Sequence, residues 1–275
     1  MEDINLKLEK LKEYLKSLGK VAVAFSGGVD STFLLKIAYE VLGDNVLAVT
    51  LKSDVFSKRE TAWTREFCKK ERIPHLLCEF DPFNVEGFKE NPVDRCYICK
   101  KALFTRMIQV AGNRGIKYIA EGSNVDDMGD YRPGLKAVRE LEILSPLQMV
   151  GLSKAEIRQL SKMYGISTWN KSSKACLASR FVYGEEITKT KLEMAEKAEQ
   201  VLIYFGYEQS RVRIHGNIAR IELLPEQIQE FVLNHRKEVY QSLKEIGFDY
   251  ITLDLEGYRM GSMNETIAKE QGDGN

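Results

Sequence analysis

The chain has 275 residues, 44% apolar and 29% charged, with 40 basic and 40 acidic side chains that cancel at neutral pH. That length allows one large or two modest domains with a sizeable core. The lack of a basic excess argues against tight, sequence-independent binding to RNA or DNA, which works by displacing counterions from phosphates.

No stretch is long and apolar enough to cross a bilayer, and the amino-terminal residues lack a basic-then-apolar leader, so a cytoplasmic location without membrane partners is expected. Five cysteines do not make a disulfide framework in a chain of this size.

Ile4, Leu8, Leu11, Leu15 and Leu18 recur at helical spacing. Val21 to Phe25 is an apolar run short enough for a strand buried on both faces. A helical pattern from Thr32 to Leu42 follows, then a strand over Val46–Leu51, a helix over Ser57–Arg72 and a strand from Pro74 to Phe80. Asp81 to Arg95 has weak periodicity and two prolines and reads as irregular. A helix over Cys99–Asn113, a strand over Lys117–Glu121 and a capping box at Ser153 and Glu156 come next. Thr168 to Glu186 has no clean period. Strands alternating with helices predict an α/β fold with a doubly wound, mostly parallel sheet.

The pattern then changes. A helix over Thr188–Phe205 precedes Arg211-Val212-Arg213-Ile214-His215, a Gly216-Asn217 turn and a strand from Ile218 to Leu223, whose alternation predicts antiparallel strands with one wet face. A helix from Pro225 and a strand over Tyr250–Leu255 complete a smaller α+β region. The expected domains are 1–185 and 186–275, the latter ending in a frayed, charged tail.

Between the first strand and its helix lies Ser26-Gly27-Gly28-Val29-Asp30-Ser31. Glycines there let the backbone approach a phosphate, and the first amides of the helix point at it. Ser26 and Ser31 add hydroxyl donors. Asp30 suits a bridging magnesium ion. The Walker A pattern is absent.

This hexapeptide resembles the signature of the PP-loop ATP pyrophosphatases over roughly residues 20–180. The resemblance implies that ATP (with Mg2+) is split to AMP and pyrophosphate while an oxygen of the substrate is adenylated. It also implies adenine contacts near Val49, Thr50 and Lys52, and a further contact at Gly122.

Arg95-Cys96-Tyr97-Ile98-Cys99-Lys100 presents a Cys-x-x-Cys pair, with Cys176 far downstream. Such a pair fits a redox dithiol, half of a zinc site or part of an iron–sulfur site. None of His75, His215 and His235 stands near another zinc candidate, and Cys68 and Cys78 read as packing residues.

Three longer segments narrow the resemblance: Trp169 to Phe181 around Cys176, Asp130 to Lys136, and Arg211 to His215. They look like the LarE family of ATP-dependent sulfur transferases, and the likeness runs over nearly the whole chain. The family acts on a pyridinium dicarboxylate mononucleotide and makes the dithiocarboxylate precursor of a nickel-pincer cofactor. One branch sacrifices the sulfur of a lone cysteine, matching Cys176. The presence of Cys96 and Cys99 resembles the other branch, in which three cysteines hold a 4Fe-4S cluster bearing the transferable sulfur, which a sulfide donor must replenish.

The same resemblance places Arg180, Glu199, Arg211, Arg213 and Glu222 around the transfer site, with Lys100 and Glu230 as weaker correspondences. Guanidinium groups suit bidentate capture of phosphate or carboxylate, although residues alternating on a strand more often form a solvated face. Asp126, Asp127 and Asp130 read as caps or helpers of magnesium, and Lys101 as helix surface. The competing activities are sulfur sacrifice by Cys176, tRNA thiolation, and an ATP-sensing or iron–sulfur carrier module. A homo-oligomer is expected.

Overall fold

The structure is a computed structural model that describes residues 3–129, 133–172 and 175–264. The chain divides into two compact units: Met1–Val85 with Cys96–Lys174, and Glu86–Arg95 with Ala175–Asn275.

The first unit is a parallel α/β layer structure. Its elements in chain order are α1 (Ile4–Leu18), β1 (Val21–Ala24), α2 (Val29–Leu42), β2 (Val46–Lys52), α3 (Lys58–Glu71), β3 (His75–Glu79), α4 (Arg95–Gly112), β4 (Tyr118–Ala120), α5 (Gly134–Glu140), α6 (Pro146–Met149) and α7 (Lys154–Met163). The strands lie in the order β3-β2-β1-β4 and all their pairings are parallel. Leu144 adds a bridge beside Ala120 at the β4 edge.

Residue alternation on β1 divides the core. Val21, Val23 and Phe25 join one cluster with Leu11, Phe33, Leu34 and Ile157. Ala22 faces another with Phe104, Met107 and Val138. The short apolar run is therefore a strand covered on both faces.

The order 3-2-1-4 places a switch point between β1 and β4, where crossovers leave in opposite senses and a crevice opens at the carboxyl ends of the strands. The Ser-Gly-Gly segment follows β1, and Gly122 follows β4.

Two boundaries differ from the sequence reading in ways that matter. The second helix begins at Val29 rather than Thr32, so Val29, Asp30 and Ser31 form its first turn, with Gly28 as the extended cap residue. The fourth begins at Arg95 rather than Cys99 and carries both Cys96 and Cys99. The short helices α5 and α6 escaped the sequence pattern, because seven and four residues are too few to establish a period.

The second unit contains α8 (Lys189–Tyr204), β5 (Arg211–His215), β6 (Ile218–Glu222), α9 (Ile228–Asn234), α10 (Arg236–Ile246) and β7 (Tyr250–Leu253). β5 and β6 form the expected antiparallel hairpin, while β7 joins β6 in parallel after the α9–α10 crossover. The wet face expected on this hairpin is not there. Arg211, Arg213 and Glu222 are 2%, 6% and 0% exposed. The frayed tail predicted for the carboxyl terminus falls outside the described residues beyond 264. No helix among the described residues is long and apolar enough to cross a membrane.

Candidate functional site: a phosphate cradle and a buried ionic cluster

In the first unit, Gly27 has φ +77°, a conformation that glycine adopts without strain. A Cβ there would meet Thr64 Cγ2 at 3.0 Å and Trp63 Cε3 at 3.1 Å, so α3 presses directly on the loop. Gly122 answers a different need. A Cβ on it would stand 2.9 Å from the Ser31 amide nitrogen and 3.2 Å from the Asp30 carbonyl carbon. The chain leaving β4 thus lies against the first turn of α2, backbone to backbone.

Within the motif the Ser26 and Ser31 hydroxyls lie 3.0 Å apart, and Thr32 donates to the Gly28 carbonyl at 2.6 Å. The result is a rigid turn with helix amides at its mouth, suited to an anion.

Asp30 is half-buried. Its Oδ2 accepts from the Lys154 ammonium, while its Oδ1 is buried with no hydrogen-bond partner. Burial pushes the Asp30 carboxyl above its ordinary range; Lys154 opposes the rise and the neighbouring Asp127 adds to it. A carboxylate oxygen left unsatisfied in this way is costly unless something cationic completes it. Magnesium carried by a phosphate chain fits that oxygen by charge and donor chemistry.

Two lysines that sequence reading missed reach this motif. Lys154 opens α7, where its amide donates to Asp126 Oδ2 at 2.7 Å and the Ser153–Glu156 capping box fixes the turn. Lys171 donates to the Gly27 carbonyl at 2.9 Å, pairs with Glu60, and lies 4.6 Å from the centre of the Trp63 ring. Arg158 holds the segment carrying Lys171 through the carbonyls of Trp169 and Lys171 at 2.7 and 2.8 Å. Lys154 lies inside the Ser153–Glu156 capping box and Lys171 inside the Trp169–Phe181 segment, but only the fold shows that they reach residues 27–30.

Other residues named from sequence have traceable places. The buried Thr50 hydroxyl donates to the Phe25 carbonyl at 2.8 Å and lies 2.9 Å from His75 Nε2. Val49 is buried, and Lys52 is exposed, 2.8 Å from Glu79. Asp127 accepts from the Asn124 amide at 3.0 Å, so with Asp126 it serves as a turn cap. Lys101 reaches Tyr97 and Glu140 on the surface. Asp130 lies outside the described residues.

No disulfide joins the cysteines. Cys96 and Cys99 are one turn apart on α4, both half-buried, so their thiols leave one helix face together. A Cβ at Gly134 would stand 2.9 Å from Cys96 Sγ and 2.6 Å from Lys100 Cδ, so α5 packs closely on this face. Burial pushes the Cys68 thiol up to about 12, consistent with a core residue. Among the described residues, no three Cys, His, Asp or Glu side chains gather as a metal set. The α4 pair fits two corners of an iron–sulfur cluster by its chemistry and spacing; further ligands are needed.

In the second unit, Cys176 precedes a short 3-10 turn over Leu177–Arg180. Its carbonyl accepts from the Ser179 amide at 3.0 Å, the Ser179 hydroxyl at 2.7 Å and Arg180 Nη1 at 3.4 Å. Arg180 then grips Glu199 of α8 with two bonds, 2.6 and 3.1 Å, in full burial. Burial opposes ionisation of Glu199, but Arg180 outweighs it and holds the carboxyl below its usual range.

Arg213 donates to the Ser179 carbonyl at 3.1 Å and to Glu222 at 2.8 Å, while Glu222 also accepts from Arg220 and Ser262. Arg211 lies 5.1 Å from the centre of the Tyr258 ring. Residues 176–182 and 254–264 supply these contacts, which is why the hairpin face is buried. The unit thus joins Arg180, Glu199, Arg213 and Glu222 in one ionic cluster beside the backbone of Cys176, with Arg211 on the same strand. The buried Nε of Arg213 has no hydrogen-bond partner among the described residues. Glu230 lies in the first turn of α9, where its carboxylate interacts with the Tyr207 hydroxyl.

A family profile described as NAD synthase matches residues 4–101. The chain is 42% identical over 264 residues to an uncharacterised protein of Synechocystis, covering 96% of this chain and 98% of that one. It is 38% identical over 273 residues to the pyridinium-3,5-bisthiocarboxylic acid mononucleotide synthase of Lactiplantibacillus plantarum, covering 98% of each. A more distant match, 28% over 214 residues, is to a component chain of the glutamine-hydrolysing GMP synthase of Thermoplasma volcanium, with 71% of this chain and 67% of that one aligned.

Proposed function

The chain belongs to the LarE family of PP-loop enzymes, and on that premise we propose that it is an ATP-dependent sulfur transferase. It activates a carboxylate of a pyridinium dicarboxylate mononucleotide as the acyl adenylate and converts it to a thiocarboxylate. The observation that carries this reading is the first turn of α2. There, donors for phosphate surround an Asp30 carboxylate with one oxygen paired to Lys154 and the other unsatisfied.

In the proposed reaction, Ser26, Gly27, Gly28 and Ser31 orient the phosphates with helix amides and hydroxyls, and Asp30 holds the magnesium ion that accompanies them. The substrate carboxylate attacks the α-phosphorus and pyrophosphate leaves. A sulfur nucleophile then attacks the acyl carbon, and AMP departs with the bridging oxygen. Positioning and charge neutralisation supply the acceleration. Arg211 and Arg213 are assigned to the anionic acceptor, with Arg180, Glu199 and Glu222 holding them in place.

Cys96, Cys99 and Cys176 are the residues that would hold a 4Fe-4S cluster, which would supply an exchangeable sulfide from a cellular sulfide donor. A second reading is favoured by the site of Cys176, whose backbone is fixed against Arg180 in the acceptor-binding unit. In that route the Cys176 thiolate forms the thioester itself. Removal of its Cα proton then breaks the Cβ–S bond, releasing the thiocarboxylate and leaving dehydroalanine.

Anaerobic purification with iron and sulfide analysis, comparing wild type with Cys99→Ala, decides between them. Iron and sulfide bound by wild type and lost in the variant support the cluster. Absence of iron from wild type, with the elements of hydrogen sulfide lost from the Cys176 peptide after one turnover, assigns the sulfur to Cys176. Substrate-dependent release of AMP and pyrophosphate tests the whole reading. Its absence with the pyridinium dicarboxylate would overturn it.

A further inference from the structure

Arginines take up the carbonyls of the turn that begins at Cys176. Arg180 donates to the Cys176 carbonyl at 3.4 Å, Arg95 to that of Ala178 at 2.8 Å and Arg213 to that of Ser179 at 3.1 Å. Glu199 and Glu222 balance Arg180 and Arg213. Arg95 is as deeply buried as Arg213, yet no carboxylate pairs with it among the described residues. Its partners there are the Ala178 carbonyl, Asn91 Oδ1 at 2.6 Å and the Tyr183 ring, whose centre is 6.0 Å away.

The local chain is built to keep Arg95 in place. Asn91 is wholly buried and has φ +51°, a left-handed conformation that residues with a side chain rarely adopt. While its Oδ1 accepts from Arg95, its Nδ2 donates to the Val182 carbonyl at 2.6 Å and its own carbonyl accepts from the Gly184 amide at 2.9 Å. Residues 91–95 are thereby clasped to residues 178–184 within the second unit. Backbone strain held by surrounding bonds in this way points to a use for the group it supports. A buried cation without a counter-charge is costly unless an anion completes it.

We propose that Arg95, held by Asn91, is a specificity-determining residue whose buried positive charge selects a carboxylate-bearing electrophile for the sulfur delivered at Cys176. This rests on the sulfur transfer proposed above and adds to it the means by which the anionic acceptor is preferred. Ala178 is two residues from Cys176 in one tight turn, so the charge acts on whatever approaches the sulfur there.

The test compares alkylation of Cys176 by iodoacetate and by iodoacetamide. Both reagents meet the same thiolate and lose iodide; they differ in carrying a carboxylate or a neutral amide. The ratio of their rates therefore reads the local potential, while protonation and accessibility of the thiol cancel. The Cys176 peptide is followed by mass spectrometry in the full chain carrying Cys96→Ala and Cys99→Ala, so that no cluster masks the thiol.

In this background the ratio is expected to exceed that of the same protein unfolded in urea by about threefold or more. Adding Arg95→Met should lower it about threefold, and Arg95→Lys should keep it within about twofold because the charge remains. Asn91→Asp, which gives Arg95 a carboxylate in place, should lower it as far and decides the matter should Arg95→Met not fold. A ratio unmoved by Arg95→Met or by Asn91→Asp would overturn the proposal, and so would an equal fall in Arg95→Lys. Thiocarboxylate formation by wild type reports separately: if none forms from the pyridinium dicarboxylate, the proposed sulfur transfer fails whatever the ratio.

Discussion

Asp30, the proposed magnesium ligand, carries a cost in the folded protein. Burial disfavours its charged form, Lys154 offsets part of that penalty, and the net effect raises its pKa above 3.8. A carboxyl raised in the folded state contributes stability below its unfolded pKa and loses that contribution as pH rises through the folded value. Near neutral pH, without nucleotide, the ionised group therefore weakens the fold. Asp30→Asn should unfold at a higher temperature than wild type at pH 8, with the gain closing towards pH ~4, and pyrophosphate release should be abolished. Thermal scans and a pyrophosphate assay on the same samples check both halves. A less stable, active variant would contradict the role given to Asp30.

Glu199 shows the opposite sign. Arg180 holds its carboxyl low, so its stabilising effect is present above the unfolded pKa and disappears as pH falls through the lower folded value. Glu199→Gln leaves Arg180 buried without its counter-charge. The expected cost is about 3–5 kcal/mol, measured by urea unfolding at pH 7. A change below about 1 kcal/mol would mean that water reaches the cluster.

At the scale of elements, β1, β2 and the β5–β6 hairpin were legible because short apolar runs and strict alternation have few other readings. The start of α2 was misplaced because Val29-Asp30-Ser31 sits inside a motif read as a loop, whereas Gly28 ends the extended segment. The buried hairpin face could not be read from alternation. Arginines and glutamates look alike in sequence whether water or Glu199, Glu222 and Ser262 satisfy them. The reach of Lys154 and Lys171 was invisible for a related reason: their partners lie 124 and 144 residues away.

The β4–α2 contact gives a direct prediction. Gly122→Ala sets a methyl against the Ser31 amide at 2.9 Å, and backbone offers no easy relief. A loss of about 1–3 kcal/mol in stability is expected, with weakened binding of ATP by calorimetry. The cap of α7 gives another. Ser153→Ala should cost about 1 kcal/mol and, by loosening the turn under Lys154, slow pyrophosphate release more than it changes the affinity for the sulfur acceptor.

Across the whole molecule, the proposed chemistry is divided between two compact units. The first presents helix amides, Asp30 and two lysines, the equipment to activate an oxygen. The second presents Cys176 beside a cluster of buried arginines, suited to an anionic acceptor. Zero net charge fits a small-molecule substrate better than a polynucleotide. Both units serve one claim, that a carboxylate oxygen leaves with AMP and sulfur takes its place. The most direct measurement supplies the pyridinium dicarboxylate mononucleotide labelled with oxygen-18 in its carboxylates and follows AMP by mass spectrometry under turnover with magnesium and ATP. One labelled oxygen in the AMP phosphate for each thiocarboxylate formed is the predicted result. Unlabelled AMP accompanying thiocarboxylate would contradict the account.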